Sequence, residues 1–331
     1  MFLGYIHSFR ALAILFIVAG HTIDFFIWPE NNLIIERLLR IFISNGSVLF
    51  VFIAGYLFQH LMGKYQTKKY LLAKFKNVIV PYFIVSIPAI IIFVAFIQRE
   101  TVWFDFYNNP EWLQVVYFYL TGKHLAPLWF IPMISLFYLI APLLVIADKQ
   151  KHFYWILPAT ILVSCFVGRG LPLQSFIHFF SVYLLGMFCS HFKAKVNYIL
   201  NRTAILILLT IVVFSLAFYE YFYMSGTMTY INYLQKMAMS LFFLGFFIKM
   251  GESLEFKIIH TIANTSFGTF FIHSYLLTSG KLCSEWLTGS KIQGNLLFYV
   301  GITLFVLLSC TGIIVVLQKL LGAKSRYLVG S

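Results

Sequence analysis

About ten apolar stretches follow one another between residues 6 and 320, most of them near the ~20 residues that a helix needs to cross a lipid bilayer. They fall at residues 6–26, 46–61, 77–97, 127–147, 153–167, 173–189, 204–223, 230–248, 265–281 and 295–320. Inside lipid every backbone N–H and C=O must be satisfied within the chain, and separated apolar runs of this kind achieve that as helices rather than as a barrel. The sequence therefore predicts an all-α, multi-pass membrane protein. It reads as one domain over residues 1–331, with no appended soluble domain, no internal repeat and no cleavable signal peptide. Only 11% of the chain is charged, where a soluble protein carries about a quarter.

The segments between the runs set the orientation. Loops holding Lys64, Lys68 and Lys69, or Lys193, Lys195 and Arg202, alternate with segments poorer in cations. With the N-terminus inside, about fifteen basic residues fall inside and about seven outside, and both termini are expected to be cytoplasmic. Residues 249–264 read as an inner loop with both signs of charge. Residues 98–126 read as an outer, aromatic segment with a short interfacial helix at 113–120. The net charge of +13 is assigned to these loops and to lipid headgroups rather than to nucleic acid. The four cysteines have no metal-site or disulfide spacing, and no metal is expected.

Among its ionisable groups, the first run carries a cation near its start and an imidazole near its end, groups that a membrane span ordinarily avoids. Arg10 and His21 are eleven residues apart, about three turns plus 20°, so they project from one helical face ~16 Å apart along the axis. Buried charges in a membrane face polar cavities in preference to lipid. A cation suited to phosphate at one end and an imidazole at the other suggest a site that bridges the bilayer. Asp24, one turn beyond His21, reads either as an orienter of the imidazole or as an interfacial carboxylate. His273 reads either as a second polar group in the same cavity or as a helix–helix hydrogen bond. His178 and Lys236 are further ionisable groups within spans. Trp129 reads either as a stacking surface for a sugar or as an interfacial anchor, and Glu220 as a group at an outer end.

Several stretches, taken in order, resemble the integral membrane acyltransferase-3 family. RALAILFIVAGH fits the family's basic residue and His of the first span. LFVFIAGYLF (residues 49–58) resembles its FFxxSG(Y/F)L, with Ala54 in place of Ser. KFKNVIVPYF (residues 74–83) resembles its RxxR-like entry into Pro-Tyr. Lys74 stands at the first basic position and Asn77 at the second, with Lys76 beside it. LWF at 128–130 and NTSFGTFFIH at 264–273 complete the series.

The resemblance implies an acyltransferase that takes an acyl group, acetyl above all, from cytoplasmic acyl-CoA to a polysaccharide or glycan hydroxyl on the outer side of a bacterial plasma membrane. Arg10, Lys74, Lys76 and Ser266 are then the expected donor-binding residues, and His21, Asp24 and His273 the expected catalytic ones. His21 is expected to act as general base or as a transient acyl carrier. Expected partners are acyl-CoA, the glycan acceptor and the lipid bilayer; a homo-oligomer is left open. The competing reading is a transporter or flippase for a glycan or lipid-linked intermediate, which the absence of internal symmetry disfavours.

Overall fold

The computed structural model describes residues 3–224, 226, 229–251 and 256–331, so the expected inner loop at 249–264 lies partly outside the described residues. Among the described residues the fold is all-α, with no strand and a single isolated bridge between Ile27 and Gln293. Eight helical stretches are long and apolar enough to cross a membrane. The other two expected spans are also helical but differ in kind. Residues Phe153–Phe166 form a shorter apolar helix, and Lys257–Thr288 is a 32-residue helix diluted by polar side chains such as Thr265, Ser266, Thr269 and His273.

Helix α1 (Gly4–Ile23) forms the centre of the bundle. It packs against α2 (Leu33–Ile43), α3 (Ser47–His60), α12 (Tyr230–Met250), α13 (Lys257–Thr288) and α14 (Leu296–Leu321). Burial separates core from periphery. In the most apolar window of α1, 67% of residues are buried, against 22% in α11 (Thr203–Tyr223), whose Ile207, Ile211, Phe214 and Phe218 face outward. An outward face this apolar is what a lipid-facing helix presents.

Two glycines set the closest helix pair. A Cβ at Gly55 of α3 would lie 2.0 Å from the carbonyl oxygen of Tyr183 on α9 (Pro172–His191). One at Gly186 of α9 would lie 2.1 Å from the carbonyl oxygen of Phe52. Small residues let membrane helices approach backbone to backbone, and van der Waals contact then holds them.

Helix α4 (Thr67–Lys74) continues into α5 (Val80–Ala95) through a π-helical turn at Phe75–Ile79. A proline ring clashes with the carbonyl four residues earlier, so Pro81 displaces Asn77, and the wider turn absorbs the shift. The interfacial helix expected at 113–120 is present as α6 (Glu111–Thr121). It leads to α7 (Phe130–Asp148) and α8 (Leu157–Phe166). Beyond α9 come α10 (Lys193–Leu200) and, after α14, the short α15 (Ser325–Val329).

Two ionisable residues flagged within spans have local structural partners. Lys236 on α12 closes the C-terminal end of α2, donating to the carbonyls of Ile41 (2.6 Å) and Phe42 (3.0 Å) and to Gln235 Oε1 (2.8 Å). A cation there meets the negative end of the helix dipole. His178 on α9 bonds the carbonyls of Val167 (2.7 Å) and Ser164 (3.1 Å), fastening the turn between α8 and α9.

Candidate active site

Two cavities lie along α1, one at Arg10 and one at His21. The larger, about 640 Å3, is lined by Arg10 of α1, by Lys64, Lys69 and Lys74 of the basic segment, and by Asn77 of the π-turn. The smaller, about 160 Å3, is lined by His21 and Asp24 of α1, Arg40 of α2, Asn45, Trp129 and Arg169. Phe130, the first residue of α7, lines both. Its ring packs on Phe270 with centroids 5.4 Å apart, and Phe270 stacks on Phe267, which lines the larger cavity. The shared helical face read from the sequence is therefore real, but an aromatic partition divides the space in front of it.

In the larger cavity Arg10 is held in place. Its Nε and Nη2 donate to Ser266 Oγ at 3.2 and 2.8 Å, and the Ser266 hydroxyl in turn donates to the carbonyl of Ala263 (2.8 Å). Ser266 is fully buried and does not line the cavity, so its place is behind the guanidinium. Lys74 enters between two aromatic faces, with Nζ 5.3 Å from the Tyr70 centroid and 4.9 Å from that of Tyr138. Lys76 does not join it. Two residues further along the helix it projects from the opposite side and is exposed. The cations that do accompany Lys74 are Lys64 and Lys69. The sequence marks both as basic-loop residues, and only the turn after α3 and the fold of α4 back over the cavity bring them to it. Ala54, where the family pattern has Ser, also lines this cavity.

In the smaller cavity His21 lies beside His273 of α13, ring centroids 5.3 Å apart and planes tilted by 41°. His273 is fully buried. Its Nδ1 is 3.0 Å from the Thr269 carbonyl, which makes Nδ1 the donor and leaves Nε2 without a partner among the described residues. Asp24 shares the cavity, yet its carboxylate accepts from Arg40 Nη1 at 2.9 Å, and no bond joins it to His21 among the described residues. Arg40 also pairs with Glu36 at 2.8 Å. Of the side chains named in advance, the fold thus unites His21 with His273, and Arg10 with Lys74. It turns Lys76 away and ties Asp24 to α2. Glu220 bonds Asn232 at 3.0 Å and lines a neighbouring cavity of about 340 Å3 with Arg37 and Arg40.

Arg169 is the residue that sequence reading passed over. It lies in the turn between α8 and α9, where no periodicity marks a role. The fold sets its guanidinium 4.1 Å over the Trp129 ring and 3.2 Å from Asn45 Oδ1. Burial lowers its pKa to about 10, so it stays charged at neutral pH. Among the described residues no cluster of His, Cys, Asp or Glu has the make-up of a metal site.

A membrane bundle that sets a braced guanidinium and lysines in one cavity, and an imidazole pair in the next, has the parts of a group-transfer enzyme. Residues 3–315 match the family described as an acyltransferase domain, and the chain belongs to that acyltransferase-3 family: it is a membrane acyltransferase. No curated protein and no solved structure matches it.

Proposed function

We propose that the protein transfers an acetyl group from acyl-CoA in the larger cavity to a hydroxyl of a polysaccharide or glycan in the smaller one, across the plasma membrane of a bacterium. The observation that carries this reading is that one rigid helix presents Arg10 to one cavity and His21 to the other, with Phe130 between. The anionic nucleotide end of the donor meets Arg10, Lys74, Lys64 and Lys69. Arg supplies a planar fork for phosphate, and the aromatic pair around Lys74 holds its charge in place. The slender pantetheine arm runs between apolar walls of α3 and α7 and brings the thioester to Phe130.

His21 accepts the proton of the acceptor hydroxyl as its oxygen attacks the thioester carbonyl carbon. The tetrahedral intermediate collapses with cleavage of the C–S bond, and the imidazolium returns the proton to the departing sulfur. The products are an O-acyl glycan and free CoA. His273, whose Nε2 is an unpartnered acceptor next to His21, offers the His21 N–H an acceptor to turn to during the reaction, which would hold that ring in one tautomer. Asp24 acts at one remove, by anchoring Arg40 at the rim.

The test is CoA release from acetyl-CoA by the full chain in lipid nanodiscs. Wild-type release that rises with added envelope glycan, and falls at least about 100-fold in His21→Ala, is the expected result. Turnover in that variant within a few-fold of wild type would overturn the assignment of the base.

A further inference from the structure

The smaller cavity contains two guanidinium groups, and they differ in how their charge is met. Arg40 is neutralised by Asp24 and Glu36 at 2.9 and 2.8 Å. Arg169 has no carboxylate within ion-pair distance among the described residues, although it lines the same cavity as His21. An arginine carries five N–H donors, and the bond recorded for Arg169 is from Nη1 to Asn45 Oδ1. Its Nε is shielded from water and has no acceptor among the described residues. Leaving a charged donor so poorly satisfied is costly unless something else completes it.

The same group is unusually well fixed. Its plane lies over Trp129, and that indole is itself stacked on Phe179 with centroids 5.7 Å apart and planes at 22°. Asn45, which braces Nη1, sits in the left-handed region at φ 64°, a conformation that Asn tolerates better than most residues. A rigid, charged and unpaired fork beside the imidazole pair is a built receptor for a planar or tetrahedral oxyanion.

We propose that Arg169 binds an oxyanion, a carboxylate or a phosphate, carried by the acceptor next to the hydroxyl that is acylated. The substrate class is then an acidic glycan: a sugar acid or a phosphorylated sugar. This deepens the proposed function and rests on the smaller cavity being the acceptor side. The donor's own phosphates are met in the other cavity by Arg10 and the lysines.

The test uses the full chain in nanodiscs with acetyl-CoA and three acceptors of similar size: methyl glucuronoside, glucose 1-phosphate and methyl glucoside. The expected result is a kcat/KM for one of the two charged acceptors about tenfold or more above the neutral one, a ratio that Arg169→Gln brings to about 1. Which charged acceptor wins tells carboxylate from phosphate. Arg169→Lys retains part of the ratio, since it keeps the charge and loses the fork. Asn45→Gly keeps the left-handed backbone, removes the brace, and lowers the ratio by less than Arg169→Gln; it serves if Arg169→Gln does not fold. Equal use of all three acceptors by wild type overturns the proposal. So does an equal loss in Arg169→Gln of neutral transfer, charged transfer and acceptor-free thioester hydrolysis, which would put the guanidinium on the reacting carbonyl instead. If no CoA is released at all, the acyl-transfer reading is what has failed. The receptor is then judged by thermal shift with glucuronate or glucose 1-phosphate against glucose, where equal shifts in wild type and Arg169→Gln overturn it.

Discussion

The rings of His21 and His273 lie 5.3 Å apart, although they sit 252 positions apart in the chain, and the Nδ1 of His273 is already committed to Thr269. That commitment makes the two histidines unequal. His21 borders the cavity, whereas His273 is sealed behind it with one nitrogen free to accept. Replacing His273 by Ala should lower kcat by about tenfold to 100-fold while leaving the KM for acetyl-CoA within about twofold, because the loss falls on orientation of the base rather than on donor binding. His273→Gln, which supplies an amide acceptor, should recover part of it. Steady-state CoA release separates the two constants.

Donor affinity should follow the cavity and not the basic run. Lys74→Gln removes a cation held between Tyr70 and Tyr138, and Arg10→Ala removes the braced fork. Each should weaken CoA binding by about tenfold or more, whereas Lys76→Gln should stay within about twofold. Ser266→Ala should sit between them, since it frees the guanidinium without deleting it. Thermal shift with CoA ranks the four variants.

Phe130 borders both cavities, so its removal should join them. Phe130→Ala should raise acceptor-free hydrolysis of acetyl-CoA severalfold and admit longer acyl donors. Hydrolysis and transfer, assayed side by side with acetyl- and hexanoyl-CoA, show whether the ring is the barrier. Unchanged hydrolysis with unchanged chain-length preference would rule that out.

The contact between α3 and α9 leaves no room for a methyl group. Gly55→Ala and Gly186→Ala each drive a Cβ against backbone that cannot rotate away, and should cost about 2–3 kcal/mol or prevent folding. Gly63→Ala, with open space around it, is the control. Thermal unfolding in detergent micelles reads all three.

His124 lies outside the spans, in the turn after α6, fully buried with Nδ1 donating to the Phe118 carbonyl at 3.1 Å. Burial, with Arg99 nearby adding to it, pulls its pKa down from 6.5 to about 4. A base whose folded pKa is depressed stabilises the fold fully above the unfolded value and progressively less as pH falls toward the folded one. Stability should therefore drop between about pH 6.5 and pH 4. His124→Gln should flatten that slope, as followed by melting temperature against pH.

The sequence revealed the bundle because lipid imposes one rule on every span, and long apolar runs obey it regardless of neighbours. It revealed Arg10 and His21 because their relation is local to a single helix, where 3.6 residues per turn fixes the geometry. What it did not reveal depends on contacts between helices. Helix geometry puts Lys74 and Lys76 on opposite sides, but which side faces the cavity is set by how α4 and the π-turn pack on the bundle. Asp24 sits at helical-neighbour spacing from His21, yet Arg40 on α2 claims it. Arg169 gives no local signal, because its role comes from Trp129 and Asn45, both more than 35 positions away in the chain. The aromatic partition was equally hidden, since LWF reads as any apolar span entry.

The single rod that carries both Arg10 and His21 also works as a ruler. Its ~1.5 Å rise per residue holds cation and imidazole ~16 Å apart, so on the proposed reading a donor held by its phosphates at the first would bring its thioester to the second only if its arm has that length. Short thioesters such as acetyl-cysteamine then measure too little to use both marks at once. One residue inserted between positions 10 and 21 would turn the imidazole by about 100° and spoil the gauge without touching any side chain that does chemistry.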